Sequence, residues 1–375
     1  MRIGIITHWW CHENYGQLLQ CYALQAHLKA LGHEPFLIKY IMRRPKRLRH
    51  LLYLLQPAIL YRKIKDRYLI KSPLDRKKAL IRSFDKFRNQ FLATSATTYT
   101  SLAELNNSQE IADAYICGSD QVWLHVSLDD SGKPWFLDFG PPSAKRVAYA
   151  ASFGKTTCPK EYIDFARPLL AKFDRIGVRE KAGLALSAAA GRPDAIHVAD
   201  PTLLLSINDY LDGFRITSTS HAQTPPYAFV YYLRAETDTP WPEIQAFILD
   251  NGLKVKATEV NGAVLPFEER FDPTIPEWIR TINEATVVFT NSFHGTVFAI
   301  LARRSFLTFP RKGETKEMNE RIASLLEQLD LTSRLYNPEL PLAAQMHASI
   351  EWEEVEKRLA AHRSKSIAFL KDCGF

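Results

Sequence analysis

A chain of 375 residues, 46% hydrophobic and 24% charged, is long enough for roughly two domains with cores of their own, so disulfide staples are not needed. Its five cysteines (Cys11, Cys21, Cys117, Cys158, Cys373) are scattered with no Cys-x-x-Cys pair, which argues against zinc or thioredoxin-like sites and fits reduced thiols in a cytoplasmic protein. The net charge of +7 is concentrated between Arg43 and Arg88, and no run approaches the ~20 apolar residues of a spanning helix.

The amino terminus, "MRIGIITHWW", is too short an apolar run for a signal peptide and reads as a buried first strand. In "NYGQLLQCYALQAHLKALG", Leu18, Leu19, Tyr22, Ala26 and Leu31 approximate a helical face, and Gly32 supplies a left-handed stop. "EPFLIKY" reads as the second strand of a βαβ unit. A basic, partly helical insertion at about 43–90 interrupts the pattern. It resumes with "DAYICGSD", "KRVAYAASFG", "RIGVRE" and "IHVADPTLLL", apolar strands that end in small or charged residues. Ligands of open α/β sheets sit outside the carboxyl ends of the strands. Asn14, Gly16, Gly118, Ser119, Asp120, Ser152, Gly154, Arg179 and Glu180 are therefore expected as the exposed rim of a site.

Residues 206–226 are polar, carry two prolines and lose periodicity, as a linker does. A second alternating series follows over 227–345. "YAFVYYL", "KVKATEV", "TVVFT" and "SFLTF" read as strands, and "PEIQAFILDNG", "PEWIRTINEA" and "SFHGTVFAILARR" as helices. The tail, 346–375, is an amphipathic helix able to pack back on the domain junction. The expected fold is α/β: two doubly wound, Rossmann-like domains, the first spanning 1–205, facing each other across a cleft.

"TNSFHGTVFAI" puts Asn291, Ser292, Phe293, His294, Gly295 and Thr296 at a strand-to-helix turn. Unpaired amides at a helix amino terminus make an anion site, and Gly295 would let a ligand approach the backbone. The plainer alternative is an Asn291 or Ser292 cap with His294 half-buried. Arg179 in "GVREKAG" could clamp a carboxylate or phosphate through two parallel hydrogen bonds, or be a surface charge. Asp120 in "CGSDQVW" could be a base for a hydroxyl, or merely cap a turn and the next helix. His8 and His12 lie four apart but in a strand-to-loop segment, so no metal is expected. Neither a Walker motif nor Gly-x-Gly-x-x-Gly occurs.

Taken in order, "NYGQLLQCYAL", "CGSDQVW", "YAASFG", "GVRE", "VADPTLLL", "TNSFHGTVFAI" and "NERIASLLEQLDL" resemble the polysaccharide pyruvyl transferase family from about residue 3 to residue 335. The resemblance implies a GT-B-like fold with an interdomain active site. It also implies transfer of a pyruvyl group from phosphoenolpyruvate to sugar hydroxyls, forming a ketal, without a further cofactor. The family's histidine falls on His294 and its donor-binding arginine on Arg179. Many members carry an arginine shortly before the histidine, where this chain has Ser292 and Phe293.

The implied chemistry suits these residues. A guanidinium would hold the donor carboxylate and oriented amides its phosphate, while His294 protonates the methylene carbon and Asp120 assists the hydroxyl. Ser292, Phe293, Gly295, Thr296 and Ser152 are the expected donor contacts; Asn14, Gly16, Gly118, Ser119 and Glu180 the expected cleft or acceptor residues. The rival readings are a nucleotide-sugar glycosyltransferase of the same fold and a non-catalytic sugar-binding or assembly subunit.

In the basic segment, Arg43, Arg44, Lys46, Arg47 and Arg49 flank Leu51, Leu52, Tyr53, Leu54 and Leu55, followed by Arg62, Lys63, Lys65 and Arg67. Such a pattern suits either an interfacial element on an anionic membrane surface, at the inner face, or a helical insertion with its basic face in water. A sugar or lipid-linked acceptor fits the first. No nucleic-acid module accompanies the charge, so no nucleic-acid partner is expected.

Overall fold

In the computed structural model, which describes residues 1–42, 71–124, 126–217, 225–233, 238–260, 265–268, 270–312 and 319–375, the strands form two all-parallel sheets. The first half runs β1 (Arg2–Ile6), α1 (Tyr15–Ala30), β2 (Glu34–Tyr40), α2 (Lys71–Phe91), β3 (Thr94–Tyr99), α3 (Leu102–Asn106), β4 (Ala114–Cys117), β5 (Lys145–Ala151), α4 (Lys160–Leu170), β6 (Arg175–Val178), α5 (Lys181–Ala189) and β7 (Ile196–His197). Its sheet has the order β3-β2-β1-β4-β5-β6-β7. After α6 (Ile207–Gly213) come β8 (Tyr227–Leu233), α7 (Trp241–Asp250), β9 (Lys254–Val260), α8 (Ile275–Glu284), β10 (Val287–Thr290), α9 (Phe293–Leu301) and β11 (Ser305–Thr308), with sheet order β11-β10-β8-β9. α10 (Asn319–Gln328), α11 (Leu342–His347) and α12 (Trp352–Asp372) complete the chain. This is the two-part, doubly wound α/β architecture expected from the sequence.

The local causes are visible in the residues. Every residue of β8 is buried, as befits a parallel strand covered by helices on both faces. Gly32, at φ 84°, turns the chain out of α1, and Thr274 with Glu277 forms a reciprocal capping box at the start of α8. Three elements depart from expectation. The strand anticipated in "IHVADPTLLL" pairs over Ile196–His197 alone, because Asp200 caps Thr202 and Pro201, lacking an N–H, opens a 3-10 turn. Part of the expected linker is α6, started by a Ser206–Asp209 capping box. β3 follows α2 in a stretch too polar to show strand alternation.

The basic and apolar residues from Arg43 to Arg67 lie outside the described residues. What is described of the insertion, α2, buries Phe84 and Phe87 in the same core as α1 and α6. Arg88 is not in water either: its Nη1 donates to the carbonyls of Trp9 (3.4 Å) and Cys11 (2.7 Å). Among the described residues no helix is long and apolar enough to cross a membrane.

One apolar core runs through the junction between the sheets. Tyr15, Leu18 and Leu19 of α1 meet Trp278 of α8 and Phe293, Val297 and Phe298 of α9. The Tyr15 ring stacks on Trp278 at 5.3 Å and its hydroxyl donates to Pro273 O (2.7 Å). α12 returns across both halves, with Val355 and Leu359 in this core and Phe369, Leu370 and Cys373 beneath β1, β4 and β5.

α12 also brings His362 to within 5.2 Å, between ring centroids, of His197 on β7. Burial, aided by the charges of His197 and Lys365, pulls His362 down to about 4. Burial lowers His197 too, against its hydrogen bond with Arg179 O. An unfolded imidazole takes up its proton near pH ~6.5, so the stability these rings confer is full above that value and is lost as the pH falls toward 4. For His362 the loss is about 3 kcal/mol across the window. The urea midpoint should therefore fall steeply over this range in the wild-type chain, and less steeply in His362→Gln.

Candidate functional site

Each sheet has one point where the strand order reverses: between β1 and β4 in the first, between β8 and β10 in the second. Crevices open outside the carboxyl ends at such points, and here the two face each other. Between them lies a cavity of about 630 Å³ lined by His8, Trp10, Asn14, Gln17 and Asp120 from one side and by Ser292, Phe293, His294, Arg311 and Arg321 from the other. α1 and α9 both begin at this cavity, capped by Asn14 and Ser292 respectively, so two helix amino termini and two arginines favour an anion there.

α9 starts where it does because Ser292 is extended and its Oγ accepts from Gly295 N (3.3 Å). The cap is present, and Ser292, Phe293 and His294 also line the cavity. Gly295 and Thr296 do something other than expected. A Cβ on Gly295 would stand 2.6 Å from Thr290 Oγ1, so this glycine lets α9 pack on β10 and β8 and does not admit a ligand. The hydroxyl of Thr296 is paired with that of Thr308 (2.7 Å).

The close approach that does serve the site is at Gly16. A Cβ there would lie 2.0 Å from Cγ and Nδ1 of His294, so only glycine lets α1 lie against the histidine of α9. Behind the ring, His294 Nε2 is 3.7 Å from Asp200 Oδ1, too long for a hydrogen bond but close enough for strong electrostatic contact. That Nε2 is buried with no hydrogen-bond partner among the described residues.

Asp200 is deeply buried. Its Oδ2 accepts from Ser119 Oγ (2.8 Å) and Arg179 Nη1 (3.0 Å), and its Oδ1 from Thr202 N (3.0 Å) and Oγ1 (2.7 Å). Burial alone would raise its pKa, but His294, Arg179 and Thr202 outweigh that and hold the carboxylate ionised, below its ordinary range. Arg179 was expected at the exposed rim as a two-pronged clamp, and the structure corrects this: its side chain is 1% exposed. Nε is bound to Glu180 Oε1 (3.0 Å) and Nη1 to Asp200, which leaves Nη2, unpartnered among the described residues and 4.0 Å from Asp120 Oδ1. Burial opposes its charge, yet Glu180, Asp200 and Asp120 raise its pKa further.

The other strand-end residues expected on the rim are buried as well. Ser119 and Glu180 hold Arg179. The Ser152 hydroxyl accepts from Gly154 N (3.0 Å), and Gly118 packs on Thr7. Asp120 lines the cavity but caps no following helix; it sits at φ 79°, a left-handed conformation that aspartate tolerates better than most residues. Its burial is opposed by His8, Arg179 and Arg321, which together hold it ionised.

Some residues with a place in this site were not singled out from the sequence. Asp200 lay inside a motif read as strand. Arg321 lay inside "NERIASLLEQLDL", a motif that was given no role, and Arg311 follows α9 with nothing local to mark it. Arg321 is buried, its Nε has no partner among the described residues, and its Cζ lies 5.8 Å from the Phe293 ring centroid, with Arg179 Cζ 5.0 Å from the same ring. Burial and the like charge of Arg179 bring Arg321 down to about 10. Two guanidiniums thus share one phenyl ring, each with a buried nitrogen that has no partner among the described residues. Among the described residues no group of three or more His, Cys, Asp or Glu could hold a metal.

A family model described as polysaccharide pyruvyl transferase matches residues 14–313. No curated protein matches the chain. Among solved structures, the N-terminal domain of Candida albicans trehalose-6-phosphate phosphatase is similar at TM-score 0.50 and 9% identity, covering 99% of this chain and 96% of that one. Methanocaldococcus jannaschii UDP-GlcNAc 2-epimerase is similar at TM-score 0.45 and 9% identity, covering 96% and 100%. Arabidopsis thaliana UGT89C1 complexed with UDP-L-rhamnose is similar at TM-score 0.44 and 10% identity, covering 100% and 92%. At 9% identity the likeness to the first of these is one of fold.

The Gly16–His294 contact makes a quantitative prediction. Gly16→Ala should destabilise the protein by about 1–3 kcal/mol, as overpacking does. In a His294→Ala background the same substitution should come close to neutral, because the ring it collides with is gone. Equal losses of urea-unfolding free energy in both backgrounds would contradict the contact.

Proposed function

The chain belongs to the polysaccharide pyruvyl transferase family, and from that membership we propose that it moves the pyruvyl group of phosphoenolpyruvate onto hydroxyls of a sugar acceptor in surface-polysaccharide assembly. The observation that carries this reading is His294 in the interdomain cavity, backed by the ionised Asp200 and set beside Arg321 and the start of α9. Phosphoenolpyruvate is a small polyanion whose methylene carbon must be protonated for the enol carbon to accept an oxygen. An anion seat next to a proton donor is what that requires.

In this reading Arg321 stands in for the arginine that many members carry just before the histidine. Ser292 occupies the turn as a cap, and a guanidinium from α10 reaches over Phe293 instead. Arg179, with Nε and Nη1 engaged and its side chain 1% exposed, acts by positioning Asp200. An imidazolium has two N–H groups; Nε2 is the one nearer Asp200, so Nδ1, beside Gly16, is the one left to deliver a proton. The carboxylate then stabilises the charged ring without taking the proton itself.

Phosphoenolpyruvate should raise the melting temperature of the purified protein, and nucleotide sugars should not; the reverse would move the assignment to glycosyl transfer. Arg321→Gln should raise the donor KM about 10- to 100-fold, the equivalent of one or two charge-assisted hydrogen bonds, and lower kcat less. His294→Gln should keep the fold and the donor-induced thermal shift while losing about 10²- to 10⁴-fold in turnover. Near-normal turnover in a folded His294→Gln variant would remove the proposed mechanism.

A further inference from the structure

The donor chemistry uses one proton-transfer group, but ketal formation moves two kinds of proton: one is delivered to carbon and one is removed from a hydroxyl. Asp120 is poorly suited to the second task. Its Oδ1 accepts from Gln121 N (2.9 Å) and its Oδ2 from Gln17 Nε2 (3.2 Å), and its charge is held by the cations around it. A carboxylate so strongly stabilised in its ionised form is a weak base.

Beside it stands a histidine. His8 lies two residues beyond the end of β1, at the order reversal of the first sheet, and lines the cavity. Its ring is fixed edge-on by Trp10 (5.2 Å) and Trp135 (5.0 Å), and its Nδ1 lies 3.7 Å from Asp120 Oδ2. The side chain is 23% exposed, open to the cavity, whereas that of Asp120 is 10% exposed. His12 takes no part: its Nε2 pairs with Asp85 on α2 at 3.6 Å. The cavity is thus faced by two histidine–aspartate pairs, His294–Asp200 and His8–Asp120, each at 3.7 Å, and Arg179 touches both aspartates.

We infer that His8, oriented by Asp120, is the second catalytic group of the site: the base that takes the proton of the attacking hydroxyl. This rests on the pyruvyl-transfer reading. The protons balance over a full cycle. His294 gives its proton to the methylene carbon as the first hydroxyl forms a bond to the enol carbon and passes its proton to His8. The carbon–phosphate ester bond then breaks, and the departing phosphate takes the proton from His8. The second hydroxyl closes the ketal and returns a proton to His294, leaving both rings as they began. Sugar diol and phosphoenolpyruvate have become ketal and phosphate, with no oxidant or reductant.

The test does not need the natural acceptor, because water serves as a slow one. Phosphate release from phosphoenolpyruvate is measured for the full chain in buffer and with methyl glucoside, galactoside and mannoside as probe acceptors. His8→Gln and His8→Asn should lower it by about 10²- to 10⁴-fold. The phosphoenolpyruvate-induced thermal shift should be unchanged, which a general packing defect would not spare. In log kcat/KM, wild type should rise with pH as the base loses its proton and then fall as the acid loses its own. The His8 variants should lose the rising limb alone. Besides Asp120, with Arg179 behind it, the titratable and charged groups that line the cavity with His8 are Cys11, His12, Glu13, His294, Arg311 and Arg321; Glu13→Gln should leave that limb in place. Phosphate release within about twofold of wild type in folded His8 variants, or a rising limb that survives, overturns the role of His8 while leaving pyruvyl transfer standing. No thermal shift and no phosphate release in the wild-type chain overturns both.

Discussion

A guanidinium with almost no access to water, surrounded by carboxylates from separate strand ends, is the constraint on which the site depends. Arg179 leaves β6 and meets its neighbour Glu180, Asp200 from beyond β7, and Asp120 from beyond β4. Desolvating these charges is expensive, so the cluster is a poor source of net stability, but removing the arginine would leave buried carboxylates unbalanced at about 3–5 kcal/mol. What it supplies is position. Ser119 and Thr202 complete the shell around Asp200, and Asp200 thereby stands at a fixed place behind a histidine that belongs to the other sheet.

That reach across the junction is possible because the two halves are packed as one core. Tyr15 stacks on Trp278 and bonds to Pro273 O, and α1 lies against α9 with nothing but a glycine hydrogen between its backbone and the His294 ring. An alanine at that position would push the ring off its carboxylate or the helices apart. The position of the His294 ring is thus set by the absence of one methyl group, and the close packing of the surrounding core leaves little room for compensation.

Much of the architecture was legible in the sequence. β2, β8 and β9 occupy the stretches read as "EPFLIKY", "YAFVYYL" and "KVKATEV", and the helix after "TNS" begins where a serine cap and an apolar run place it. These are signals of period and capping, carried by a few adjacent residues. β3 was not legible because "TSATTY" has little apolar content, and the short β7 was overread because an aspartate–proline pair broke a run that composition alone would extend.

The sequence by itself determined which segments become strands and helices, that they alternate in two series, and that a histidine, an arginine and an aspartate fall at strand ends. The tertiary structure decided which of these ends face the cavity and which are sealed behind it. Arg179 reads locally as a free clamp and is in fact spent on carboxylates that only the sheet order brings near. Arg321, which the sequence placed in a motif without a role, faces the cavity because α10 folds over Phe293. His8 and Asp120, far apart in the chain, become neighbours because β1 and β4 pair side by side. Backbone propensity acts over a turn or two of chain, whereas burial and electrostatic pairing depend on neighbours contributed by distant segments; elements are therefore written locally, and a site is not.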